Sequence, residues 1–248
     1  MKKLITVFAI VLIVSVIASA ADVAGWNAFV IRNSNSGAIA PTIADVADGF
    51  KQFDVQLSGQ KAGWGTNSMN ELTIGDIEAV SIEGVPSGVY GPYMNIWVTD
   101  GLGGYAVLSN EPSHTLEWGT SGPHNTIWDI LQDATTWVYE VSGTQGFKLP
   151  NGTTTYANLP AGTTIPHFTF SDFAGYTIAT PSSHWGGGGA PDDLNAGTYT
   201  AYGFNWIFGD TDDNYSNIYT VKNPTLVPEP TTMAILGLGA LSLIRRKK

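Results

Sequence analysis

The acidic run Asp210-Thr211-Asp212-Asp213-Asn214 is the densest set of hard ligands in the chain. Asp210, Asp212 and Asn214 offer oxygens at alternate positions, the arrangement a calcium loop needs, because Ca²⁺ gathers six to eight such atoms. The sixth position is Tyr215 where a helix-loop-helix calcium site needs glycine, and the twelfth is Val221 where it needs glutamate. The reading is therefore a calcium site at a sheet edge or a solvated hairpin loop. Asp192-Asp193, beside the glycine run 186–189, is a second candidate of the same kind. Aromatic residues give a different chemistry. Tyr93, Asn95 and Trp97 share one parity, and Trp185 stands in the glycine loop. Such rings can stack on the apolar faces of sugars while an amide holds hydroxyls, and the competing reading is that they fill a core.

Catalytic patterns are sparse. There is no cysteine, so thiolate chemistry, disulfides and Cys-ligated metals are excluded. His114, His124, His167 and His184 have no second histidine at i+2 or i+4 to form a metal face. No serine stands in a G-x-S-x-G elbow. Glu71, Glu78, Glu83, Glu111, Glu117 and Glu140 could supply the paired carboxyls of a glycan hydrolase, but abundance fixes no separation.

Charge narrows the partners. Between Asp22 and Leu226 only Arg32, Lys51, Lys61, Lys148 and Lys222 oppose twenty carboxylates, a formal charge of −15. Such a surface repels phosphate backbones and anionic headgroups, which excludes nucleic acid and leaves cations and neutral sugars.

The elements that must position these residues read as strands. Phe53, Val55 and Leu57 alternate with polar residues, as a strand with one wet face does. Met94, Ile96 and Val98 repeat the pattern, as do Trp137, Tyr139 and Val141, then Tyr202, Phe204, Trp206 and Phe208. The apolar phase shifts between Leu72 and Ile82, which predicts a bulge or kink near Gly75-Asp76. Only Asn125 to Ala134 has a helical period. Turns are marked by Asp100-Gly101 with Gly103-Gly104, by Pro150-Asn151-Gly152, by Pro160-Ala161-Gly162 and by the glycine run. The expectation is one all-β domain over 21–226, a single antiparallel β-sandwich of jelly-roll type with at most one short helix. The segment Lys222 to Val227 reads as its closing loop.

Both ends carry addresses. Met1-Lys2-Lys3, an apolar run from Leu4 to Ile17 and Ala18-Ser19-Ala20 form a signal peptide helix, cut by signal peptidase after Ala20. At the other end Val227-Pro228-Glu229-Pro230 precedes an apolar run, Met233 to Ile244, and the basic end Arg245-Arg246-Lys247-Lys248. As a helix that run spans about 18 Å against a hydrocarbon core of about 30 Å, closer to a transient membrane substrate than to a permanent anchor. Four cations hold the end at the cytoplasmic face.

These three parts, in this order, resemble the PEP-CTERM sorting signal of bacterial surface proteins, with Pro228-Glu229-Pro230 as its tripeptide and residues 227–248 as the tail. Tyr93 to Leu108 and Phe204 to Tyr215 are similar to segments in the jelly-roll domains of other such cargo proteins. The resemblance implies an exosortase, a membrane protease-transpeptidase that cuts near the tripeptide and delivers the domain to the cell surface or matrix. The function expected is a non-catalytic envelope or matrix protein that touches exopolysaccharide. A secreted glycan-active hydrolase is the alternative. An ice- or surface-binding protein is another, although Thr153-Thr154-Thr155 is too short for a flat threonine array.

Overall fold

The computed structural model describes residues 25–35, 39–84, 91–110, 146–155, 168–180, 202–210 and 216–229, and the backbone of 135–142. The signal peptide, the segment Asn125 to Ala134, the turns at Pro160-Ala161-Gly162 and 186–189, and the tail from Pro230 onward lie outside them. Within the described residues the chain is all-β, with every strand pair antiparallel. Helical geometry there is confined to short 3-10 turns, Ala47–Gly49, Ile74–Asp76 and Ser171–Phe173.

The strands are β1 (Asn27–Arg32), β2 (Thr42–Asp45), β3 (Lys51–Val55), β4 (Lys61–Thr66), β5 (Ile77–Glu83), β6 (Tyr93–Thr99) and β7 (Tyr105–Ser109), followed by β8 (Thr135–Ser142), β9 (Phe147–Lys148), β10 (Thr154–Thr155), β11 (Phe168–Thr169), β12 (Thr177–Ile178), β13 (Phe204–Phe208) and β14 (Asn217–Pro228). An eight-stranded sheet runs β1-β4-β13-β6-β7-β8-β11, with β12 added to β6; a four-stranded sheet runs β2-β3-β14-β5; β9 and β10 form a hairpin.

Alternation explains which residues meet. In β3, Phe53 and Val55 are buried and the residues between them are partly wet. Leu57 lies past the strand end and is exposed, so the expected run of three is a run of two. From the eight-stranded sheet, Trp64 of β4, Met94, Ile96 and Val98 of β6, and Phe204, Trp206 and Phe208 of β13 enter the same core as Phe53, Val80, Ile82, Tyr219 and Val221 of the four-stranded sheet. The Phe53 and Phe208 rings stack at 3.9 Å, and Tyr219 lies 5.5 Å from Phe208. Each such side chain contributes about 1.5–3 kcal/mol by leaving water.

The second face of the eight-stranded sheet is not wet. Every residue of β13 and all but Thr99 of β6 are buried. Lys61, Gly63 and Gly65 of β4 stand on this face, and the two glycines leave room for rings: a Cβ on Gly63 would meet Phe29 and one on Gly65 would meet Tyr202 and Asn205. Phe29, Ile31, Tyr93 and Ile207 form a small apolar cluster there.

The predicted turns at Asp100 to Gly104 and Pro150 to Gly152 join β6 to β7 and β9 to β10. Asp100 Oδ1 accepts the N–H groups of Leu102 and Gly104 at 2.8 and 2.9 Å, the local bonding that makes aspartate a turn residue. The phase shift after Leu72 has two causes. Gly75-Asp76 lies in a 3-10 turn, whereas the bulge is at Glu78, where Ile77 and Ala79 face the consecutive residues Pro228 and Val227.

The segment Lys222 to Val227 is strand, not the expected closing loop. Asn223 takes φ +49° and adds one residue to β14 opposite β5, so Pro224 sits at a bulge, the one interior place where its missing N–H costs no ladder bond. Ser81 and Thr225 hydroxyls pair across the strands just beyond it.

Candidate functional site

Asp210 follows β13 through Gly209, whose φ of +78° turns the chain back over the sheet. A Cβ on Gly209 would run into the Gln60 carbonyl, so both the conformation and the space call for glycine. The turned carboxylate meets cations. Arg32 Nη2 lies 2.8 Å from Oδ1, Lys61 Nζ lies 2.9 Å from Oδ2, and Tyr93 Oη donates to Oδ2 at 2.5 Å. Lys61 Nζ also sits 5.4 Å from the centre of the Tyr93 ring. Arg32 is fixed from its other side, since its Nε donates to Gly59 O at 2.6 Å.

The calcium reading at Asp210 has to compete with this arrangement. Both carboxylate oxygens accept from the chain's own donors, and the residue is 8% exposed. Asp212, Asn214 and Asp192-Asp193 lie outside the described residues, as do the four histidines and Trp185. Among the described residues no group of three His, Cys, Asp or Glu side chains could hold a metal. Of the six glutamates considered for hydrolysis, Glu71 and Glu78 are exposed, and Glu83 accepts from Asn223 Nδ2 at 3.0 Å. Glu111, Glu117 and the Glu140 side chain are outside the described set.

Tyr93, Asn95 and Trp97 do share a face, as their parity required, but each is 0% exposed. The open aromatic row on which a sugar would stack is therefore absent at these three residues. Their strand is central, between β13 and β7, and a central strand of a sheet covered on both sides buries both parities. The pleat brings Asn205 of β13 directly opposite Asn95, and Ser109 of β7 opposite Asn95 on its other side. Asn205 Nδ2 donates to Tyr202 O at 2.8 Å and to Asn95 O at 3.3 Å. Sequence reading missed Asn205, Arg32 and Lys61. Asn205 was hidden among aromatics, although its place between Phe204 and Trp206 already put it on the opposite parity.

The described sorting residues, Val227, Pro228 and Glu229, are part of the fold. Leu226 is buried in the core, and Val227 and Pro228 pair with Ala79 and Ile77 of β5. Glu229 N–H donates to Asp76 O at 2.7 Å. Asp76 is itself held, because its Oδ2 accepts the Thr73 N–H and hydroxyl at 2.8 and 2.7 Å. The end of β14 is thus clipped to the 3-10 turn that opens β5. Pro230, the apolar run and Arg245-Arg246-Lys247-Lys248 lie outside the described residues, and among the described ones no helix is long and apolar enough to cross a membrane.

No curated protein and no solved structure matches the chain. Residues 226–248 match the family model described as the PEP-CTERM protein-sorting motif. The chain therefore ends in a PEP-CTERM sorting motif, a signal processed by exosortase that implies an exported, membrane-processed protein sorted to the cell surface.

Proposed function

We propose that this chain is a non-catalytic component of the cell envelope or extracellular matrix, a two-layer β-sandwich of jelly-roll type carried to the surface by its tail. Signal peptidase removes residues 1–20, the apolar run Met233 to Ile244 enters the inner membrane, and the four terminal cations stay on its cytoplasmic side. Exosortase then cuts near Pro228-Glu229-Pro230. The extracellular partner we assign is a neutral polysaccharide, a polymer that a domain with a formal charge of −15 does not repel.

The observation that carries this reading is the direct joining of strand and signal. Β14 passes from the core residue Leu226 into Val227 and Pro228 without a linker, so the body is the cargo of the motif and not a neighbour tethered to it. The test is expression of the full chain in a bacterium with an exosortase, followed by mass spectrometry of the surface fraction. Peptides should begin at Ala21 and none should extend past about Pro230. Glu229→Ala should accumulate as precursor in the inner membrane. Efficient surface display of that variant with its tail intact would show an anchor in place of a sorting signal.

A further inference from the structure

We infer that Asn95 and Asn205 hold a neutral, hydroxyl-bearing ligand on the second face of the eight-stranded sheet. The inference deepens the polysaccharide part of the function proposed above and is independent of the tail.

The two asparagines are cross-strand partners on β6 and β13, and both are 0% exposed. Asn205 spends its amide N–H groups on Tyr202 O and Asn95 O. That fixes its orientation and leaves Asn205 Oδ1 without a donor. Asn95 has no partner at either Oδ1 or Nδ2. Exchanging the oxygen and nitrogen of Asn95 changes nothing in this inventory: two acceptors and an NH₂, on directly opposed residues, are buried without a protein partner. Buried polar groups are kept in proteins where they are met by a partner, because each one left alone costs about what a lost hydrogen bond does.

The chemistry of the donors selects the occupant. An anion brings acceptors only and would leave both oxygens unmet, while a cation brings donors only and would leave the NH₂ unmet. A hydroxyl both donates and accepts. Charge on the ligand has no use at a neutral amide pair, and the charges described at the Tyr93 end of β6, Arg32 and Lys61, are each paired with Asp210. Along β6 Asn95 is flanked on the same face by the rings of Tyr93 and Trp97, both fully buried. Asn95 thus remains a ligand-binding residue, but of a closed site, with Asn205 as its partner. The hydroxyl can be that of a sugar or that of an ordered water bridging the two amides.

The experiment is a high-resolution crystal structure of the exported protein, grown with and without a panel of neutral monosaccharides, paired with calorimetric titration of the same sugars. The expected result is an oxygen within about 3.2 Å of the Asn95 amide and of Asn205 Oδ1. If the source is a sugar, its density occupies the site, and Asn95→Leu weakens its binding by at least about tenfold. If the source is water, the oxygen is present in both crystals and no sugar displaces it. A site without any oxygen overturns the inference, and this needs only the wild-type chain, so a variant that fails to fold cannot obscure it. Processing of the tail is scored separately, so failure here leaves the sorting result untouched.

Discussion

Lys61 Nζ lies 2.9 Å from Asp210 Oδ2, with the lysine side chain 1% exposed, so this carboxylate offsets the cost of burying the cation. Removing one partner strands the other. Asp210→Ala should therefore cost about 3–5 kcal/mol, whereas replacing Lys61 and Asp210 together by Met and Leu should cost far less. Denaturant melts of the two variants check this. The loss in Asp210→Ala should be the same with and without chelator, because the carboxylate is committed to Arg32, Lys61 and Tyr93.

Gly63 sits beneath the Phe29 ring, whose Cζ is 2.5 Å from where a Cβ would stand. Gly63→Ala should then destabilise by about 1–3 kcal/mol through overpacking. Phe29→Leu in the same chain should recover part of that loss, giving a favourable coupling in a double-mutant cycle. Additive losses would mean that the ring is not what the methyl strikes.

How much of this was legible beforehand follows from what each signal measures. Alternation in Phe53 and Val55, in Met94 to Val98 and in Phe204 to Phe208 reports local geometry, and all these strands formed. Asp100 and Gly152 mark turns by bonds within a few residues, so those turns were readable too. Burial of the second face was not, because nothing local to Tyr93-Met94-Asn95 says that β6 lies between β13 and β7. The partners of Asp210 were hidden for the same reason: they are 178 and 117 residues away in sequence at Arg32 and Tyr93. The strand over Lys222 to Val227 was masked because Asn223 and Pro224, which form its bulge, are residues that turns also use. The PEP-CTERM motif was legible from order alone, since a sorting signal is read as a linear peptide.

Tyr219 is fully buried between the sheets, and loss of solvent pushes its phenol well above the ordinary value of 10. The unfolded chain gives up this proton near pH 10 while the folded chain keeps it, so the unfolded state binds fewer protons above that pH. Stability from this residue is whole below pH 10 and falls as pH rises beyond it. Tyr176, raised by burial and then by Asp100, and Tyr202, raised by burial, act in the same direction. Tyr219→Phe should flatten the decline of stability above pH 10 relative to wild type, measured by denaturant melts at several alkaline pH values. Parallel slopes would show that Tyr219 ionises as easily folded as unfolded.

The last prediction concerns how exosortase reaches its substrate. Val227 and Pro228 are paired with β5 and the Glu229 N–H is bonded to Asp76 O, so these backbone groups are already engaged when the enzyme arrives. Proteases that bind peptides in extended form compete for the same groups, so the end of β14 must come off β5 first. Strand ends open at a small fraction of the global free energy, and Pro228, which has no N–H, weakens the ladder at that point. Inserting a Gly/Ser spacer of about six residues between Leu226 and Val227 would free the motif from this competition and leave Leu226 in the core. Processing of the spacer variant in membranes should be faster than wild type by several-fold. Asp76→Ala should move it the same way by less, because it loosens the turn that presents the acceptor carbonyl. Equal rates for all three would mean that exosortase engages only the chain beyond Glu229 and that the folded body exerts no control over its own release.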